Sequence, residues 1–155
     1  MTPCKIDFQK SADEMARGAT MDGKPIMLVE DNSDDEFLAL ITLRKNGLDN
    51  ILVARDGLEA INLLTGTAEE KDGLLPIFIL LDLKLPKIGG IDVLRAIRAK
   101  ESTKDIPVIV LSSSREESDV ATCRSLGVNR YLTKPLKSPE LKIIMDELHL
   151  TPGPG

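Results

Sequence analysis

Five polar residues stand directly after short apolar runs in this chain. Glu30 and Asp31 follow MLV, Asp82 follows ILL, Ser112 follows IVL, and Lys134 follows YLT. Each alone has an ordinary explanation. Acids are favoured where a helix opens, a serine within SSS suits a loop, and a lone lysine suits a surface. Gathered in one place they have a specific chemistry. Three close carboxylates repel and raise one another's pKa. A hard divalent cation relieves that repulsion, and Mg2+ (or Mn2+) takes carboxylate and phosphate oxygens. With such a cation and the Lys134 ammonium, the formal charges cancel. The site could then receive a phosphoryl group. Asp82 would be the nucleophile, since carboxylates form aspartyl-phosphates. The cation and Lys134 would stabilise the phosphoryl oxygens, and Ser112 would donate a hydrogen bond to one of them.

Those residues meet only if the runs before them are parallel strands. The pattern supports this, because short apolar runs alternate with helical patterns, as βαβ units do. Strands are expected at Ile26–Val29, Ile51–Ala54, Ile77–Leu81, Val108–Leu111 and Arg130–Leu132. The first is nearly all apolar, as a strand buried on both faces should be. A first helix opens at Ser33, where Ser33 and Glu36 fit a capping box, and runs through Phe37, Leu40, Ile41 and Arg44 to Gly47. A second spans about Gly57–Leu64, before a polar loop over Thr67–Leu75. A third follows Gly89-Gly90, with Ile91, Leu94 and Ile97 on one face. A fourth starts near Ser114, with Glu117 completing a second capping box, and ends at Gly127. The fifth starts at Ser138-Pro139, read as an N-cap and first helical residue, and buries Leu141, Ile144, Met145 and Leu148. Ligands of such sheets bind beyond the carboxyl ends of the strands, where the five polar residues lie.

Composition bounds the function. Hydrophobic residues make up 42% and charged residues 29% of the 155, too apolar a mix for a disordered chain. The net charge of −5 argues against a nucleic-acid-binding face, which is normally basic. The apolar run near Ile77–Leu83 is far short of the ~20 residues that span a bilayer, and the N-terminus lacks the apolar stretch of a signal peptide. Cys4 and Cys123 form no spaced motif. A cytoplasmic protein with no direct membrane contact is expected. Residues 1–23 read as an extension with weak periodicity, in which a short helix around Ser11–Arg17 and a second start at Met21 are both open. Residues 24–150 read as one domain, and 151–155 (TPGPG) as a flexible tail.

These motifs resemble the response-regulator receiver family over about Lys24–Leu148. MLVEDN is similar to the family's first strand and acidic pair. ILLDLKLPKIGG is similar to its phosphoacceptor strand and loop, with Pro86 four and Gly90 eight residues after Asp82. IVLSSS is similar to the strand bearing the switch hydroxyl, and YLTKPL to the segment carrying the lysine, its proline and an aromatic. The resemblance implies an α/β fold: a doubly wound five-stranded parallel sheet, flavodoxin-like, of order 2-1-3-4-5, with five helices. It implies Asp82 as phosphoacceptor, Glu30, Asp31 and Asp82 as metal ligands with the backbone carbonyl of Lys84, Ser112 as switch hydroxyl, Lys134 as phosphoryl-binding lysine and Tyr131 as switch aromatic.

The family accepts phosphoryl groups from a phosphohistidine of a sensor histidine kinase or phosphotransfer protein and hydrolyses them slowly. It acts as a switch rather than as an enzyme on an outside substrate. It signals to a protein target, or to a second copy, through the helix 4–strand 5–helix 5 face. The wording LLDLxLP and the long loop before strand three look most like small single-domain receivers, including phytochrome-associated ones. After the fifth helix only TPGPG remains, too short for a DNA-binding helix-turn-helix, so action through a protein partner is expected. Two positions depart from the commoner pattern: Lys84, where smaller or neutral residues are frequent, and Ser112, where threonine is commoner.

Rival readings lack their motifs. G-x-x-x-x-G-K-[ST] of P-loop hydrolases and G-x-G-x-x-G of dinucleotide folds are absent. Phosphohydrolases of the haloacid dehalogenase type need a second acid two residues after the nucleophile, where this chain has Lys84.

Overall fold

The computed structural model describes residues 24–65, 75–113 and 115–150. Among them five strands form one parallel sheet: β1 (Ile26–Val29), β2 (Ile51–Ala54), β3 (Ile79–Leu81), β4 (Val108–Ser112) and β5 (Arg130–Thr133). Their spatial order is β2-β1-β3-β4-β5, the doubly wound order expected. The register aligns Val29 with Ala54 and with Leu81, Leu81 with Val110, and Ser112 with Thr133. The ends of β1, β3, β4 and β5 therefore share one edge. The helices are α1 (Ser33–Lys45), α2 (Gly57–Thr65), α3 (Gly90–Ala99), α4 (Glu117–Ser125) and α5 (Ser138–Glu147).

Alternate strand residues feed two cores, one on each side of the sheet. Leu28, Leu80, Ile109 and Leu132 pack with Ala39 and Leu43 of α1 and with Leu141, Ile144 and Met145 of α5. Met27, Val29, Ile79, Leu81, Val108 and Val110 pack with Ala60, Leu64, Val93, Leu94, Ile97 and Cys123 of α2, α3 and α4. This two-sided burial is why β1 and β3 read as unbroken apolar runs, whereas the edge strand β5 is half-buried and carries Arg130 and Thr133.

Several helix details differ from the sequence reading. The N-cap of α1 is Asn32, not Ser33. Asn32 has extended backbone and its side chain accepts from the Asp35 N–H at 2.9 Å. Both residue types cap well, so backbone geometry decided between them. The buried face of α1 is Ala39 and Leu43, while Phe37, Leu38 and Ile41 are exposed. Helix α4 begins at Glu117 with Glu116 at its N-cap, so Glu117 opens the helix instead of closing a capping box; Ser114 lies outside the described residues. Lys137, not Ser138, caps α5, which places Pro139 at the second helical position. Strand β3 is shorter than the apolar run before Asp82, although Ile77 still donates to Pro25 at 2.9 Å. The expected extension, most of the loop over Thr67–Leu75, Cys4 and the tail fall outside the described residues.

Candidate functional site

The site lies at the shared edge of the strands. Main-chain bonds between strand ends fix its floor: Asp82 N–H donates to Val29 O at 3.1 Å, Glu30 N–H to Ala54 O at 2.9 Å, and Lys134 N–H to Ser112 O at 3.0 Å. Each polar residue is thus held by the last rung of a ladder. Glu30 and Asp82 are almost wholly buried, at 2% and 4% exposure, and Ser112 is fully buried. Asp31 is exposed. Oxygens of Glu30, Asp31 and Asp82 lie within 4.8 Å of one another, close enough to share one ion.

Lys134 is the hub. Its Nζ lies 2.9 Å from Glu30 Oε1, 3.0 Å from Asp82 Oδ2 and 2.8 Å from Asp35 Oδ2. Burial works against its charge, but hydrogen bonds to Asp35, Glu30 and Asp82 outweigh that and hold the ammonium above its ordinary range. The opposite holds for Glu30. Burial, only partly offset by its Lys134 bond and reinforced by the Asp82 charge, pushes its carboxyl up to about 7. One ammonium therefore does not fully neutralise this pocket. An all-oxygen donor set with surplus negative charge fits a hard divalent cation.

The loop between β3 and α3 shapes the remaining wall. Lys84 N–H approaches Asp82 Oδ1 at 3.3 Å, so both oxygens of Asp82 face donors. The Lys84 side chain is exposed. The loop turns back through Lys87, whose φ is 69° and whose Nζ pairs with Asp56 Oδ2 at 3.2 Å. It closes where Gly90 N–H donates to Leu83 O at 2.9 Å. A Cβ on Gly90 would stand 2.3 Å from Asp82 O and 2.5 Å from Leu83 Cα, so only glycine lets α3 start this close to the aspartate.

On the other side, Ser112 ends β4 and Tyr131 lies half-buried on β5, against the core beneath α4. Arg115, in the loop after β4, donates to Thr133 Oγ1 at 2.6 Å. All residues singled out from sequence thus lie at this edge or on the strands beside it. Asp35 was missed. Its only sequence signal is that it stands four residues after Asp31, in the first turn of α1.

Comparison with known proteins agrees with this geometry. The family model for the response regulator receiver domain matches residues 26–146. The response regulator Rcp1 of Synechocystis sp. is 42% identical over 112 residues, which is 72% of this chain and 76% of that protein. A crystal structure of its Mn(2+)-bound form superposes with a TM-score of 0.70 at 37% identity, covering 85% of this chain and 99% of that one. The bacteriophytochrome response regulator AtBRR gives a TM-score of 0.71 at 40% identity, covering 83% and 94%. The phosphorylated cyanobacterial phytochrome response regulator RcpA gives 0.68 at 38%, covering 81% and 91%. No helix among the described residues is long and apolar enough to cross a membrane. The strand order, the acids, hydroxyl and lysine at one sheet edge, and these matches make the chain a member of the response regulator receiver family of two-component signalling.

Proposed function

We propose that Asp82 accepts a phosphoryl group from a phosphohistidine of a sensor histidine kinase or phosphotransfer protein. The observation that carries this is the placement of Asp82: nearly buried, in hydrogen-bond contact with Lys134, and within ion-sharing distance of Glu30 and Asp31. An Asp82 carboxylate oxygen attacks phosphorus, the P–N bond breaks in line, and the histidine nitrogen leaves with the bonding pair. Lys134 donates to a phosphoryl oxygen, and Ser112 to another. Glu30, Asp31 and Asp82, with the Lys84 carbonyl, would hold Mg2+ (or Mn2+). When bound there, the ion supplies positive charge to the phosphoryl oxygens. Mn(2+) in the Rcp1 structure and phosphorylation of RcpA support this reading by similarity. Self-phosphorylation from small donors and slow hydrolysis of the adduct belong to the same proposal.

The test is intact mass after incubation with phosphoramidate and Mg2+. One phosphoryl adduct is expected, and EDTA should prevent it. Equal labelling with and without EDTA would remove the metal from the account.

The output side of the proposal is the α4–β5–α5 face. Phosphorylation takes Asp82 from a charge of −1 to roughly −2 and adds acceptor oxygens. Ser112 turning toward them leaves room on the Tyr131 side, and this biases a two-state surface. A protein target or a second copy reads that surface in a cytoplasmic setting, without direct contact to nucleic acid or membrane. Similarity to phytochrome response regulators favours a photoreceptor kinase as donor. Amide exchange with beryllofluoride, a phosphoryl mimic, should change between residues 112 and 136. An unchanged profile there would count against the switch.

A further inference from the structure

A lysine ammonium has three N–H donors and no acceptor. Here three carboxylates surround it, and they are not equivalent. Glu30 and Asp82 are nearly buried and belong to the group close enough to share an ion, whereas Asp35 stands outside that group with a side chain 36% exposed. We propose that Asp35 is a positioning residue for phosphoryl transfer, holding the Lys134 ammonium over Asp82 while its other two partners change. This rests on the function proposed above.

The reason is competition for oxygens. A cation held by Glu30 and Asp82 draws on the same carboxylates that Lys134 contacts at 2.9 and 3.0 Å. Transfer then converts one Asp82 oxygen into the bridge to phosphorus, and the Lys134 N–H that pointed at Asp82 turns to a phosphoryl oxygen, with the ammonium keeping its proton. The Asp35 bond, at 2.8 Å, is the one that neither event disturbs. Without it the ammonium sits on a flexible four-carbon stem, on a side chain already 15% exposed, free to turn to water. Asp35 itself is well anchored, because its N–H is capped by Asn32 at 2.9 Å.

Its bond to Lys134 joins the start of α1 to the loop after β5, across 99 positions of sequence. That junction does not depend on Asp35 for its fold. Thr42 Oγ1 donates to Leu136 O at 3.2 Å, and Asn46 Nδ2 to Ser138 Oγ at 3.2 Å.

The experiment follows phosphoramidate labelling by intact mass at saturating Mg2+ and varied donor. It compares the parent with Asp35→Asn, Asp35→Ala, Lys134→Ala and the Asp35→Ala/Lys134→Ala pair. Asp35→Ala should lower the maximal rate roughly tenfold, about 1.4 kcal/mol in the barrier, with a smaller change in donor KM. Asp35→Asn keeps an acceptor oxygen and should recover most of the rate, whereas a pure charge effect would make Asn and Ala alike. In the Lys134→Ala background, Asp35→Ala should add nothing, because residues acting through one contact are not additive.

A second readout needs no activity. The Lys134 ammonium signal in NMR of the metal-free protein should be visible in the parent and lost to solvent exchange in Asp35→Ala. It decides the matter if Lys134→Ala labels too slowly to measure. A parental maximal rate in Asp35→Ala, a full additive loss in the pair, or an unchanged ammonium signal overturns the inference. A parent that gains no phosphate at all overturns instead the functional reading beneath it.

Discussion

Asp82→Asn should gain no phosphate under conditions that label the parent fully, while folding as well as the parent does. The amide is isosteric with the carboxylate. Its oxygen can still accept from Lys134, which lies 3.0 Å from Asp82 Oδ2. What it loses is the anionic oxygen that attacks phosphorus. The nearby acids are poor substitutes. Glu30 has one oxygen on Lys134 and the other on the Asn32 N–H at 3.2 Å, and Asp31 and Asp35 lie toward solvent. Asp82 shares near-complete burial and a donor at each oxygen with Glu30, but it alone follows β3, the central strand of the sheet. The substitution also removes a negative charge that adds to the upward push on Glu30, so stability should hold or rise slightly. Intact mass and a urea melt of the same sample test both halves. An acid-labile adduct forming in Asp82→Asn at the parental rate would place the acceptor elsewhere.

Much of this site could be read from the chain because its positioning elements are locally encoded. The β1 and β2 bounds match the apolar runs IMLV and ILVA residue for residue. Burial on both faces leaves no polar residue inside such strands, so the first one after each run marks the sheet edge. That rule finds Glu30 and Asp82; Lys134 lies outside it, because β5 is only half-buried and carries Arg130 and Thr133 ahead of the lysine. Local competition limited the helix starts. SSSREE offers several residues able to cap a helix, and α4 opens only at Glu117. The apolar residues of α1 do not by themselves mark its buried face, because Phe37, Leu38 and Ile41 are exposed and burial falls to Ala39 and Leu43. Asp35 shows where sequence stops helping. Its partner is 99 residues away, and acids at a helix start are common for reasons unrelated to any site.

The paired glycines 89 and 90 should respond to alanine in opposite directions. They are neighbours of identical composition, and only the family's loop pattern, with Gly90 eight residues after Asp82, separates them in sequence. Space separates them physically. A Cβ on Gly89 meets nothing within 4 Å, and Gly89 sits at φ −66° and ψ 159°, which alanine adopts without strain. Gly89→Ala should therefore be neutral or stabilising by about 0.5 kcal/mol, through the narrower unfolded ensemble. At Gly90 the same methyl lands 2.3 Å from Asp82 O and 2.5 Å from Leu83 Cα. Both are main-chain atoms that no rotamer change can clear. Relief requires the start of α3 to retreat or the chain after β3 to move. We expect a loss of about 3 kcal/mol, the upper end of overpacking costs, seen as a lower urea midpoint at an unchanged slope. The displaced atoms belong to the acceptor aspartate and its neighbour, so the folded fraction of Gly90→Ala should also label more slowly with phosphoramidate, whereas Gly89→Ala should label as the parent does. Equal midpoints for the two variants would mean that the approach of α3 to Asp82 is looser than these distances require.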